Sequence, residues 1–498
     1  MGRQPDSTRT ASSPWADRGN ARPHRRSRPG PLLLLAGLSG ALLFAADYPI
    51  HGWALQLVAL VPLLVALAAV AKSTRAAVAA GAITGLIYTG ASVVALEFPL
   101  LLGGPLAAYI SALWMLLAAG AYQTMRWSQP WGALATGALA AVVEWADCTL
   151  VPVWGTAQAF VRVWTAAPWA IQLAAYVGVT GIVFALVSLQ ALAVAAWREA
   201  RTRRASLIAL GALALVIALL DGLRWSSPPA TTLRVAAVGW TREQLPAGVG
   251  RSAAVIDRVL EPLVREAARR GARLVVTPEV ALWVSAAQRA EVLARLGELA
   301  RDHQIWLAAG WFDEKSQDNR IAFVDPRGAL RGEYRKTHLI AGIERYQAGD
   351  GSLVALQLGR ARLSGMICQD DNFTDLARRL GRHGVGLVAV PTNDWRQVKD
   401  HHLENSLFRP IENGYAIVRA ASNGISVIAS PRGEVLARAD HFETGPQVIV
   451  ADVPVGTGRT LYSRLGDFWP VLCAVALLVG SVLHDRKRQR RRRGQRGP

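Results

Sequence analysis

Residues 363–370 read Leu-Ser-Gly-Met-Ile-Cys-Gln-Asp, a short apolar run that ends on the thiol of Cys368. The same form occurs twice more: Leu274-Val-Val-Thr-Pro stops at Glu279, and Leu387-Val-Ala-Val-Pro-Thr stops at Asn393-Asp394. Further short apolar runs at Leu233–Val238, Ile305–Gly310, Ile321–Val324, Tyr415–Ala420 and Ser426–Ala429 read as strands. Between them lie helical patterns, such as the face made by Val255, Ile256, Val259, Leu260, Leu263, Val264 and Ala267. This alternation predicts an α/β domain whose sheet strands are covered by helices. In open α/β sheets, sites form outside the carboxyl ends of strands. A carboxylate, a thiol and an amide/carboxylate pair are therefore expected at one edge.

Upstream the composition changes. From Leu32 to Leu220 the chain is dominated by Ala, Leu, Val, Gly and Trp. Its apolar runs predict helices near 32–46, 53–71, 77–98, 105–125, 131–151, 170–197 and 205–221, and another follows at 467–484. Loop charges alternate as such a bundle requires. Lys72 to Arg75, Arg126 and the cluster Arg198, Arg201, Arg203, Arg204 fall in one set of loops, and the other set holds only Arg162. The positive-inside rule then puts both termini in the cytoplasm and the polar domain on the outer face. Asp47, Glu97, Glu144 and Asp147 are expected at interfaces or paired within the bundle.

The net charge of +19 does not point to nucleic acid. Residues 1–31 hold seven Arg against two Asp (+5), and residues 485–498 hold seven Arg and one Lys against one Asp (+7), so twelve charges sit in tails beside membrane segments. Of three cysteines, Cys148, Cys368 and Cys473, only Cys368 belongs to the polar domain, which can form no internal disulfide. Lysine is scarce, five against fifty arginines, and one of the five, Lys336, stands in Tyr-Arg-Lys-Thr-His-Leu between two strand-like regions. A scarce lysine is kept preferentially where a compact, tunable ammonium is needed. His401 and His402 are adjacent and point to different sides of a helix, so no metal site and no cofactor are expected.

Thr-Pro-Glu279, Tyr-Arg-Lys336-Thr-His-Leu and Gly-Met-Ile-Cys368 stand in the order and approximate spacing of the nitrilase (carbon–nitrogen hydrolase) superfamily. Asn393-Asp394-Trp395 and Arg419-Ala-Ala-Ser-Asn423-Gly-Ile-Ser extend the match. Joined to a multi-span N-terminal half and one C-terminal span, the chain resembles the apolipoprotein N-acyltransferase family. Glu344, eight residues after the lysine, and the segments Glu144-Trp145 and Gly178-Val-Thr-Gly-Ile-Val-Phe agree with it. The chain departs from that family after the nucleophile position, where Gln369-Asp370 replaces the usual Tyr-Glu. It departs again at Gly239-Trp240-Thr241, where Gln-Gly-Asn is usual.

The resemblance implies a polytopic α-helical membrane domain plus an α/β nitrilase-like domain, an αββα sandwich. The expected organisation is a disordered basic cytoplasmic tail (1–31), a membrane domain of about seven helices (32–221), a periplasmic catalytic domain (231–455), a transmembrane helix (467–484) and a basic cytoplasmic tail (485–498), in a bacterial inner membrane. It implies Cys368 as nucleophile, Glu279 as general base and Lys336 as oxyanion donor. Glu344 and Asp370 would orient the lysine and the incoming amine, and Asn393 and Trp395 would bind substrate. The implied reaction moves an acyl chain from a membrane phospholipid to the N-terminal amine of a diacylated lipoprotein, through a thioester. The alternative is a membrane-anchored amidase, or an acyltransferase with another acceptor.

Overall fold

The computed structural model describes residues 30–48, 52–151, 153–226, 231–241, 253–456 and 458–494, so nearly all of the expected N-terminal tail lies outside the described residues. Among them, eight helices are long and apolar enough to cross a membrane: Gly30–Asp47, Trp53–Val70, Thr74–Ala95, Leu100–Thr124, Trp131–Leu150, Ala174–Arg198, Arg203–Trp225 and Phe468–Arg492. The third begins at an N-cap, where the Ser73 side chain accepts from the Ala76 N–H at 3.2 Å. The sixth starts at Ala174 rather than near 170, because Pro168–Ala170 forms a separate 3-10 turn. The last does not stop at 484 but runs on to Gly494. Arg and Lys are good helix formers, no breaker interrupts them, and cations suit a helix C-terminus.

The polar domain is built on two sheets. The first contains β1 (Thr232–Gly239), β2 (Leu274–Val276), β3 (Leu282–Val284), β4 (Trp306–Asp313), β5 (Asp318–Val324), β6 (Leu330–Arg335) and β13 (Gln447–Pro454), in the order β13-β1-β2-β4-β5-β6 with β3 beside β4. The second contains β7 (Leu356–Leu358), β8 (Ala361–Gly365), β9 (Leu387–Asn393), β10 (Ala416–Ser422), β11 (Ile425–Ala429) and β12 (Val435–Asp440), in the order β12-β11-β10-β9-β8-β7. Val235, Ala237, Leu274 and Val276 face the second sheet's Leu387, Ala389 and Ile417 in one core. Their neighbours Ala236, Val238 and Val275 face the other way, onto Val264, Ala267, Leu296 and Leu299 of the covering helices. Both faces of β1 and β2 are thus buried, which is why these strands read as continuous apolar runs rather than alternating ones. Each fully buried Val or Leu contributes about 1.5–3 kcal/mol.

Helix Lys399–Asn413 joins the two halves. Leu403 and Leu407 belong to the core of the polar domain, while Phe408 and Ile411 belong to the membrane-domain core. Arg162, which lies in the loops poor in basic residues, is buried between Asp47 (3.1 Å) of the first span and Glu404 (3.3 Å) of this helix. Two more of the expected carboxylates are partnered, Asp147 accepting from the Tyr109 hydroxyl (2.6 Å) and Glu97 from Gln397 Nε2 (2.6 Å), whereas Glu144 Oε1 is buried with no hydrogen-bond partner among the described residues.

A second seam passes through the sixth span, which breaks its helical path at Gly178 (φ 72°, ψ −178°). The freed Val179 N–H donates to Glu412 Oε1 at 2.8 Å, so a carboxylate of the polar domain completes a membrane helix. A Cβ at Gly178 would stand 2.5 Å from the Tyr462 ring. Gly178→Ala is therefore expected to destabilise the protein by about 1–3 kcal/mol, read as a lower midpoint of thermal unfolding in detergent.

Candidate active site

Glu279 follows β2, Lys336 follows β6 and Cys368 follows β8. The first sheet is tied to the second beside the site, where the Glu279 N–H donates to Thr392 O of β9 at 3.4 Å. The three side chains meet. Lys336 Nζ donates to Glu279 Oε1 (2.8 Å) and to Glu344 Oε1 (2.7 Å), and its side chain is fully buried. Asn319 Nδ2 also donates to Glu279 Oε1 (2.7 Å). Glu344 is itself held by the Tyr346 hydroxyl (2.7 Å) and the Ile340 N–H (2.8 Å). The Cys368 thiol donates to Asn393 O at 3.8 Å and lies within the electrostatic reach of the Glu279 carboxylate and the Lys336 ammonium.

Burial sets the electrostatics. It penalises the Lys336 ammonium, but Glu279 and the neighbouring acidic groups outweigh that and hold the pKa well above the usual lysine range. Burial pushes Glu279 above the usual carboxylate range, against the pull of Lys336. Burial and the Glu279 charge drive the Cys368 thiol well up, against the same lysine. The resting thiol is protonated, and a carboxylate with raised basicity stands in its electrostatic reach.

Cys368 has φ 47°, a left-handed conformation that costs a non-glycine residue about 1–3 kcal/mol. Asp370 holds it there. Asp370 is fully buried; Oδ2 accepts from the Ile367 N–H (3.0 Å) and the Tyr334 hydroxyl (2.7 Å), and Oδ1 accepts from the N–H groups of Thr337 (3.1 Å) and His338 (2.7 Å). One carboxylate thereby fixes both the turn that carries the thiol and the loop that follows Lys336. This corrects the expectation that Asp370 meets an incoming amine: its oxygens are committed to the protein's own donors. Glu344 does touch the lysine. The Asn393 side chain is tied to Ser422 (3.1 Å) and Asn423 (3.1 Å), and its carbonyl faces the thiol. Trp395 is exposed, two residues before the Gln397 that reaches the membrane domain.

The turn Cys368–Asn372 sits directly on the membrane domain. Gln369 Nε2 donates to Val153 O (3.3 Å), and the Thr156 hydroxyl contacts both Asn372 O (2.9 Å) and Asn405 Oδ1 (2.6 Å). A Cβ at Gly155 (φ +55°) would lie 2.2 Å from Asn372 O, so only glycine allows this approach. The glutamine that departs from the family pattern is thus part of the seam between the two halves.

One functional-looking cluster escaped the sequence reading. His402 Nδ1 faces Asp394 Oδ1 (2.6 Å) and Nε2 faces Asp371 Oδ1 (3.0 Å). Arg419 Nη2 donates to Asp394 Oδ2 (2.7 Å) and Nη1 to Asp371 Oδ2 (3.2 Å). Two carboxylates and two cations form a buried ring beside the thiol. Ligand atoms of Cys368, Asp394 and His402 lie within 4.8 Å of one another, a grouping that the adjacency of His401 and His402 did not suggest. The donor set does not fit a metal ion. A metal-ligating imidazole must be neutral with a free nitrogen, whereas both nitrogens here face carboxylates, and a guanidinium already occupies Asp394.

Burial lowers the His402 pKa, but Asp394 and Asp371 outweigh it and push it up to about 9, from an ordinary 6.5. Its stabilising contribution is complete below about pH 6.5 and is lost as pH rises through about 9. The difference amounts to about 3 kcal/mol. Between about pH 6 and 10 the wild type is expected to lose that much more stability than His402→Gln, measured by denaturant unfolding in detergent; parallel pH profiles would contradict the imidazolium.

The chain is similar in sequence to several known proteins. The "Carbon-nitrogen hydrolase" family profile matches residues 234–462. A nitrilase of Pyrococcus abyssi is 32% identical over 230 residues, covering 42% of this chain and 86% of its own length. An apolipoprotein N-acyltransferase of Geobacter metallireducens is 26% identical over 260 residues, 46% of this chain; the chain spans about half of that relative, 49%. In the Nitrosomonas europaea apolipoprotein N-acyltransferase the match is 26% over 392 residues, 73% of this chain and 77% of the relative. A solved amidase of the nitrilase superfamily from Nesterenkonia AN1 aligns at 24% identity with TM-score 0.40, covering 46% of this chain and 93% of its own. With two stacked sheets, covering helices and a strand-end glutamate, lysine and cysteine in mutual contact, the chain belongs to the carbon–nitrogen hydrolase family.

Proposed function

We propose that the protein N-acylates lipoproteins in a bacterial inner membrane, using Cys368 as nucleophile, Glu279 as proton acceptor and Lys336 as oxyanion donor. The observation that carries this reading is the seating of the Cys368–Asn372 turn on the membrane-domain loop through Gln369, Gly155 and Thr156. A thiol at that seam meets substrates that carry acyl chains; a soluble amide would need no such placement. The similarity to apolipoprotein N-acyltransferases over 73% of the chain supports the same reading.

In the first half-reaction Glu279 takes the thiol proton as Sγ attacks the carbonyl carbon of a phospholipid ester. Charge develops on the carbonyl oxygen, where Lys336 Nζ and the Gln369 N–H stabilise it. Collapse breaks the ester C–O bond, and the leaving alkoxide of the lysophospholipid takes the proton from Glu279. The acyl chain remains on Cys368 as a thioester. In the second half-reaction the N-terminal amine of a diacylglyceryl-cysteine attacks that thioester. Its proton passes through Glu279 to the thiolate as the C–S bond breaks, giving the amide. Glu344 keeps the lysine in place throughout. The basic loops and the C-terminal arginine run share the end of the bundle away from the catalytic domain, which supports cytoplasmic termini and a periplasmic active site.

Close similarity to a nitrilase favours one second reading, in which water takes the acyl group. The two separate in an assay of detergent-purified protein with a phospholipid donor and a diacylated lipopeptide acceptor. The expected result is acyl transfer to the lipopeptide amine that falls by at least about 10³-fold in Cys368→Ala, Glu279→Gln and Lys336→Met. Free fatty acid as the main product would overturn the acyltransferase reading, and full transfer by Cys368→Ala would overturn the covalent route.

A further inference from the structure

At the end of the bundle away from the catalytic domain a cleft of about 970 Å³ opens between the third, fourth and fifth spans and the C-terminal helix. One wall is a single face of that helix: Leu477, Ser481, His484 and Arg488 recur at spacings of four, three and four residues. This face passes from apolar through hydroxyl to basic over about 16 Å of helix rise. The facing wall repeats the gradient. Gly120 and Leu139 lie at the apolar end, Gln123 and Thr124 follow, and Arg126 stands at the polar end. Ser73 and Thr74 add hydroxyls, and Gln123 Nε2 donates to Thr74 Oγ1 at 2.9 Å.

Aromatic contacts fix the cleft's shape. The Trp127 ring stacks on His484 (centroids 6.0 Å apart, planes at 24°) and packs over Gly480, where a Cβ would stand 2.5 Å from it. The Arg126 guanidinium lies 3.8 Å from the centroid of Tyr122, which holds its stem in one direction while leaving its N–H groups lateral. The charged side chains of the cleft are Arg126, Arg488 and Asp485. Two guanidiniums against one carboxylate leave one positive charge.

We infer that this cleft binds one anionic phospholipid, its phosphodiester between Arg126 and Arg488 and its chains along Leu139, Leu477 and Gly120. The excess of one positive charge matches a single uncompensated phosphodiester. A zwitterionic lipid would bring its own ammonium into a site already cationic. The apolar deep end argues for a lipid phosphate over a free one, since a soluble anion has no use for that wall. Such a lipid bridges the fourth and fifth spans to the C-terminal helix, on which the polar domain's last segment ends.

The test uses the full-length protein purified in mild detergent and incubated with phosphatidylglycerol or phosphatidylethanolamine, with retained lipid read by native mass spectrometry. The wild type is expected to retain phosphatidylglycerol at least about five-fold over phosphatidylethanolamine. The double variant Arg126→Gln/Arg488→Gln should lose that preference, and Arg126→Lys/Arg488→Lys should keep most of it, which separates charge from folding. Equal retention of the two lipids by the wild type would overturn the inference, as would an unchanged preference in the glutamine pair. Displacement of the lipid by millimolar inorganic phosphate would also overturn it, marking a free-anion site instead.

Discussion

Everything in the catalytic domain is arranged around one ammonium with no access to water. Lys336 is buried between Glu279 and Glu344, and an unpaired charge in that position would be prohibitively costly. Its two carboxylates are therefore obligatory, and they in turn need Asn319, Tyr346 and the Ile340 N–H. The pairing leaves a neat division of labour. The lysine stays charged, as the proposed oxyanion donor must, while burial raises Glu279, as suits the proposed proton acceptor beside the thiol. Neither role survives exposure, because water would screen the first and relax the second.

The second constraint is backbone geometry. Cys368 occupies a left-handed conformation, and the buried Asp370 carboxylate holds that turn by bonds to Ile367 on one side and to Thr337 and His338 on the other. Strain at the Cys368 turn is thus maintained by the same group that positions the lysine loop. Further out, Thr156, Gly155 and Gln369 seat the turn on the membrane domain, Glu412 caps the broken sixth span, and Arg162 ties that domain to helix Lys399–Asn413. The two halves are coupled at the turn that carries the proposed nucleophile.

Much of this was legible in the sequence because strand ends announce themselves. Leu-Val-Val-Thr-Pro-Glu279 and Leu-Ser-Gly-Met-Ile-Cys368 are continuous apolar runs because both faces of their strands are covered, and the first polar residue after each run marks the sheet edge. Lys336 stood out by scarcity, and Glu344 by its spacing within a resemblance. What stayed hidden depends on side chains meeting across long sequence separations. Nothing local says that His402 lies between Asp371 and Asp394, or that Arg419 closes the ring. Asp370 reads as a substituted glutamate, and only its four donors identify it as a brace. The helical extension to Gly494 was hidden for another reason: a run of arginines is compatible with both a free tail and a helix.

The central claim is a covalent acyl group on Cys368, and the most direct measurement looks for it without an acceptor. Protein incubated with phospholipid alone is digested, and the peptide carrying Cys368 is weighed by mass spectrometry. The account predicts a mass increase of one acyl chain on that cysteine, removed by neutral hydroxylamine as a thioester is and absent from Glu279→Gln. An acyl group found on another residue, or an unmodified Cys368 in protein that transfers acyl chains at full rate once acceptor is added, would contradict it.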